Sequence, residues 1–370
     1  MRLEHITGME AGYTMGMEPS GRELLVVCIK GTFSFPKQED EEPQLAEEQV
    51  PLTEADTFTG EPGFSAPVYE TDYAPYKANC DVLLKGSAYG PLGRAVTHVP
   101  VTLQVGKLRK SFKVVGDRFW VNEWSGISST RPQPFTVKKI SYDKAFGGVD
   151  DSYHDPAKVH AYMNNPIGTG FHYHLDKAFI DGKLLPSTEE LKNPITNPSG
   201  NYRPMSFGPV GRGWQPRSGY GGTYDQNWID NIFPFLPPDF DTRYYQAAPE
   251  DQQMPYPQGG EQVVLLNLTP EGRTVFRLPH KHMLVWFLLQ NGEEVDKPAL
   301  LDTIILEPDA RRFMLVWRAT IPLKRNMFEM EMVVIGDNPE ARKQVLPDEE
   351  PTFPWQLGQD EETESGTEKV

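Results

Sequence analysis

ELLVVCIKGTFSF, residues 23–35, opens as an unbroken apolar run and ends in alternation, the pattern of a buried strand that becomes half-exposed. AVTHVPVTLQV (95–105) and KSFKVVGDRFW (110–120) alternate with period two about Gly106-Lys107, and Gly116-Asp117 adds a second turn signal; together they predict a β-meander. Strand character returns after residue 260. GEQVVLLNLTPEGRTVFRLP holds two β-rich runs separated by residues 269–272, and HMLVWFLLQ, LLDTIILEP and RRFMLVWRATIPL follow at hairpin spacing. VVCIKGTF (26–33) and MLVWRATI (314–321) echo one another as apolar run, base, small residue, threonine and apolar residue. The chain is therefore expected to be one β-rich unit over 1–347, with two related β-lobes at about 1–124 and 259–347 as the alternative division.

Between these strand-rich parts, residues 125–258 are dominated by Gly, Pro, Asn and aromatics and lack helical periodicity. Such a stretch is expected to be irregular backbone pinned by side-chain hydrogen bonds and short turns. The predicted fold class is mainly β: sandwich-like antiparallel sheets, a long irregular Gly/Pro/aromatic-rich central region and few short helices. KQEDEEPQLAEEQ (37–49) carries a block of like charge and reads as an exposed loop. Residues 348–370 are acidic with one short aromatic patch and read as a disordered tail.

The densest chemistry lies in GTYDQNWIDNIFPFLPPDFD, residues 222–241. Thr223 or Asp225 can cap a short helical turn through Asn231, because a side-chain oxygen accepts the free amide protons at a helix start. Trp228 and Ile232, four apart, then share one face. Pro234, Pro237 and Pro238 fix φ and extend the following segment, which is expected to carry Phe233, Phe235 and Leu236 into the core. Asp239, Asp241 and the guanidinium fork of Arg243 supply ties to the irregular backbone. Thr223, Asp225, Trp228, Asp239, Asp241 and Arg243 are thus expected to form a structural clasp. The competing reading is a carbohydrate-active hydrolase using Asp225, Asp230 or Asp239, since glycoside hydrolysis needs two carboxylates across one bond.

Composition narrows the function classes. With 36 basic against 52 acidic residues the net charge is −16, which opposes general phosphate binding and argues against a nucleic-acid partner. No apolar run approaches the ~18 residues of a spanning helix, and MRLEHITGME has neither a basic n-region nor an apolar h-region, so a cytoplasmic protein with no membrane partner is expected. Cys28 and Cys80 are too few for a disulfide framework and are expected to be buried thiols. His172 with His174, and His280 with His282, have metal-ligand spacing, but no Cys/His cluster accompanies either pair, and no metal is assigned. The glycines of 208–213 and 219–222 fit neither a phosphate loop nor a dinucleotide fingerprint, and no nucleophile elbow occurs, so no cofactor and no catalytic residue is nominated.

FKVVGDRFW, SYDKAFGG, NPIGTGF, FGPVGRGWQPR, GTYDQNWIDNIFPFLPPDFDTRYYQAAPEDQQ and DTIILEPDARRFMLVWRATIPL occur in that order from residue 112 to 323. Together they resemble bacterial proteins of the domain of unknown function 2169 family, over about residues 3–347. The resemblance implies a non-enzymatic adaptor-chaperone that binds and stabilises a type VI secretion effector and helps load it onto the VgrG/PAAR spike. It carries no catalytic residues across. LPSTEELKNPI (185–195) departs from the family pattern. The strand-rich part 262–323 is the first candidate for an effector-binding edge, with Trp286 and Trp317 as possible anchors. A structural component of the secreted particle is a third reading.

Overall fold

The computed structural model describes residues 1–324, 326–338 and 345; the acidic segment 348–370 lies outside the described residues. Strands dominate, and the two α-helices among the described residues, Lys177–Ile180 and Gln226–Asn231, are one or two turns long. The fold is mainly β.

The larger sheet has nine strands. Its main path runs Arg2–His5, Met330–Gly336, Met283–Leu289, Glu294–Glu307, Arg312–Pro322, Glu23–Ser34 and Glu10–Met17. Cys80–Leu84 pairs in parallel with the second half of Glu294–Glu307, and Gln253–Met254 pairs with Cys80–Leu84. The second sheet has five strands in the order Thr188–Glu189, Leu108–Val115, His98–Val105, Gln262–Leu266 and Arg273–Arg277. Hairpins turn at Gly106-Lys107, at 269–272 and at 308–311, but the meander expected through Gly116-Asp117 does not form, because Trp120–Glu123 pairs with Gly126–Ser129 and Thr188–Glu189 takes the place beside Leu108–Val115. Gly106 takes φ +55°, the left-handed region that a two-residue hairpin turn needs.

The echoing segments are neighbours. Val26 pairs with Thr320 and Phe33 with Phe313 in an antiparallel ladder through the middle of the larger sheet. Residues from both ends of the chain share each sheet: Glu23–Ser34 lies beside Arg312–Pro322, and His98–Val105 beside Gln262–Leu266. Burial of alternate residues on both sheets then builds one core that holds Leu25, Val27 and Ile29 together with Leu103, Phe112 and Leu265. Phe313 of the first sheet, and Phe35 just past the end of Glu23–Ser34, meet Phe276 of the second at ring separations of 5.2 and 4.9 Å.

The strand Glu23–Ser34 departs from expectation in staying buried from Leu24 through Phe33 on both faces. Its second face is covered by the chain at 49–53 and 71–73. Gln49 exchanges hydrogen bonds with the Thr32 backbone, Val50 N donates to the Thr32 hydroxyl, and Leu52 and Tyr73 pack on Leu24, Val26 and Cys28. The charged loop 37–49 is exposed at most of its charged positions, Glu47 and Glu48 included, while Gln49 at its end is drawn onto this strand.

That covered face also holds charge. Lys30 Nζ donates to Asp72 at 2.9 Å, Lys77 to Asp81 at 2.8 Å, and Arg318 to Asp302 at 2.5 Å, with all six side chains buried. Each cation has an acid partner, as charges removed from water require. Cys28 and Cys80 are buried free thiols. Burial pushes the Cys28 thiol up to about 11 against the pull of Arg318, so it stays protonated and unreactive near neutrality.

Candidate functional site

The irregular central region is fastened by a few buried polar side chains. Asp81 accepts from Gln246 Nε2 at 2.7 Å and from Ala247 N at 2.8 Å, which anchors residues 246–247 to the sheet. Gln252 Nε2 donates to the carbonyls of Val82 and Phe207 at 2.7 and 2.9 Å. Arg217 uses its whole fork, donating to both oxygens of Glu70 and to the carbonyls of Val210 and Tyr244. Asn165 ties the carbonyls of Tyr142 and Phe146. Such buried, hydrogen-bonded groups fix backbone that has no ladder of its own.

Between these anchors lies a cavity of about 520 Å³. The strand Leu108–Val115 contributes Lys110, the 3₁₀ turn Tyr142–Lys144 contributes Tyr142, and the turns Arg217–Gly221, Thr242–Tyr245 and Glu250–Gln252 close it. Its size falls in the ~300–1,000 Å³ range of ligand sites. Lys110 Nζ donates to Asp251 Oδ1 at 3.1 Å and to Gln252 Oε1 at 2.7 Å. Burial lowers the Lys110 ammonium to about 8, although Asp251 pulls the other way. Arg203 holds the second oxygen of Asp251 at 2.6 Å. Lys110, Arg203 and Asp251 also line a neighbouring cavity of about 410 Å³, whose other wall includes Glu190, Leu191 and Lys192.

Within the block 222–241 the polar side chains bond to local backbone and to one another, and the aromatics stand apart from the core. Asp225 caps Gln226–Asn231 by accepting from Trp228 N at 2.8 Å. Thr223 instead binds Asp239, through N at 2.9 Å and the hydroxyl at 2.7 Å, and these donors hold the Asp239 carboxyl below its usual range. Asp241 caps Thr242–Tyr245 and receives the Arg243 guanidinium, which also lowers its pKa. Arg243 lies over the Tyr220 ring at 4.1 Å, and both line the larger cavity, so residues flanking the block on either side form part of its wall. Phe233 and Phe235, however, point outward, 67% and 46% exposed. Trp228 is half-buried, donates from Nε1 to Phe235 O at 2.9 Å, and meets the rings of Tyr224 and Phe233 edge-on at 4.8 and 5.5 Å. With Ile229 also exposed, the block presents an aromatic knob rather than studs in the core. The two-turn helix is too short to cover these rings, and the prolines around them leave few backbone donors for another element to pair with.

Trp286 and Trp317 are not surface anchors. Trp317 is 2% exposed in the main core, and Trp286 is buried beside Met332 and Val334. Both lie on strands paired on each side, because Met283–Leu289, Glu294–Glu307 and Arg312–Pro322 occupy the middle of the larger sheet. Within 262–323 the edge is Arg273–Arg277. His174 Nε2 bonds Lys158 O, His172 lies near Asp150, and His280 packs against the Gly259-Gly260 turn. Among the described residues no cluster of three or more His, Cys, Asp or Glu has metal-binding geometry.

The cavity residues Lys110, Tyr142, Arg203 and Arg217 come from separate segments, and sequence reading did not bring them together. One signal was available: Lys110, Phe112 and Val114 share a strand face, so a lysine occupies a core-facing parity.

Residues 20–318 match the family described as "Uncharacterized protein conserved in bacteria (DUF2169)", and the chain belongs to that family. No curated protein and no solved structure matches the chain.

Proposed function

We propose that the protein is a non-enzymatic adaptor-chaperone that binds a type VI secretion effector and helps load it onto the VgrG/PAAR spike. The process comes from the family resemblance. The observation that carries a binding role is the knob formed by Tyr224, Trp228, Ile229, Phe233 and Phe235, because contiguous exposed aromatics on a rigidly tied loop have the character of an interaction site. The hydrolase reading draws little support from the same block. Asp225 accepts from its own helix, Asp230 from Gln226, and Asp239 from Thr223, so each carboxylate serves local backbone or a neighbouring side chain. Catalysis would require two of them facing a common substrate bond. Replacing the outward rings, Phe233→Ser with Phe235→Ser, tests the reading: the variant is expected to fold normally and to lose retention of a candidate type VI secretion effector. Undiminished retention would remove the knob as the binding element.

A further inference from the structure

We propose that the cavity between Lys110, Tyr142 and Arg203 is a carboxylate pocket, taking an acidic residue or chain end of the bound polypeptide together with an apolar neighbour. This deepens the adaptor reading and rests on it for the polypeptide source of the ligand.

Tyr142 supplies the first argument. Its side chain is 4% exposed and lines the cavity, and its hydroxyl has no hydrogen-bond partner among the described residues. An O–H that bonds no protein group and lines the cavity is a donor available to an acceptor entering it. Lys110 supplies the second. An ammonium has three N–H donors, and two are engaged, by Asp251 and Gln252. The third argument is Arg203, whose side chain is 61% exposed and is tethered only through the carboxylates of Asp251 and Glu190. Three donors therefore border one space, and the acid closest to them, Asp251, is already shared between Lys110 and Arg203. Glu250 stands at the exposed rim, while Arg217 and Arg243 are matched by Glu70 and Asp241. Pro204, Pro249 and Met254 provide apolar wall for the neighbouring residue. An acceptor-only group of negative charge complements this set, and a carboxylate can take several donors at once.

The test uses the full chain and an N-acetylated tripeptide of leucine, proline and glutamate at millimolar concentration, followed by isothermal titration. One comparison peptide carries a C-terminal amide, a second replaces glutamate by glutamine, and a third has both changes, which separates terminal from side-chain carboxylate. Binding of the parent peptide is expected, with loss of at least about tenfold when both carboxylates are removed. Tyr142→Phe and Lys110→Met should each weaken it by a similar factor. Tyr142→Phe should leave the melting temperature of the free protein unchanged or raised, because the hydroxyl it removes is unbonded; a purely structural tyrosine would give a loss. Equal binding of the doubly neutral peptide, no binding of any peptide, or indifference to both substitutions would overturn the pocket. A chain that retains its effector while ignoring these peptides would overturn the pocket alone and leave the adaptor reading standing.

Discussion

Arg318 and Asp302 form an ion pair at 2.5 Å across two adjacent strands, with both side chains almost completely buried. Arg318 also donates to the Asp72 carbonyl at 2.7 Å, and Lys30 reaches the Asp72 carboxylate at 2.9 Å, so one acidic residue on a covering loop is held by two central strands. The loop at 71–73 is thereby fixed over the sheet.

Removing one member of this pair should therefore be severe. Arg318→Ala leaves Asp302 buried without its cation and is expected to cost about 3–5 kcal/mol in equilibrium denaturation. Replacing both members together, Arg318→Met with Asp302→Leu, should cost distinctly less, since the uncompensated charge is then gone. A double variant as unstable as the single one would show that the bonds to Asp72 and Cys28 matter more than the pair.

The knob should be nearly independent of global stability. Asp225→Ala is expected to cost about 1 kcal/mol as a lost helix cap. Trp228→Ala should cost about 1–2 kcal/mol, less than a fully buried aromatic, because the ring is half-buried and loses one hydrogen bond. Thermal unfolding of the two variants checks this, and a loss of about 3–5 kcal/mol at Trp228 would place its ring in the core.

Lys110 makes stability depend on pH in a defined window. Its ammonium titrates near 8 in the folded chain against an ordinary value of 10.5, so between these values the unfolded chain binds more protons. Stability therefore rises with pH across that window, as the buried charge is relieved. Relative to Lys110→Met, the native chain is expected to gain on the order of 2–3 kcal/mol between pH about 8 and about 10. Denaturation curves at several pH values give the difference, and parallel profiles for the two proteins would contradict the buried, under-compensated amine.

The strands were legible because each carries its own local signal: the period-two alternation of 95–105, the apolar runs at 283–289 and 312–322, and the turn residues between them. Asp225 was legible for the same reason, since a cap acts within three residues. Phe233 and Phe235 were not. Hydrophobicity predicts burial, yet whether a ring finds cover depends on what the rest of the chain brings to it, and here the turn at Gly21 comes against the Phe235 ring without burying it. Trp286 and Trp317 failed in the opposite sense, because their strands became central only through pairing with partners far away in sequence, Trp317 with Ile29 and Trp286 with Val334. The cavity was invisible on similar grounds: Tyr142, Arg203 and Lys110 meet only because Asp81, Gln252 and Arg217 fasten the irregular segments in place.

Co-expression with a candidate type VI secretion effector, followed by gel filtration and capture on the tagged chain, tests the central proposal most directly. The soluble yield of effector should rise, the two chains should elute together, and a spike component should be retained when it is supplied. Because the chain carries a net charge of −16, association with a basic effector should slow as salt rises. An effector that accumulates equally well alone, with neither it nor any spike component held by the tagged chain, would contradict the adaptor-chaperone account.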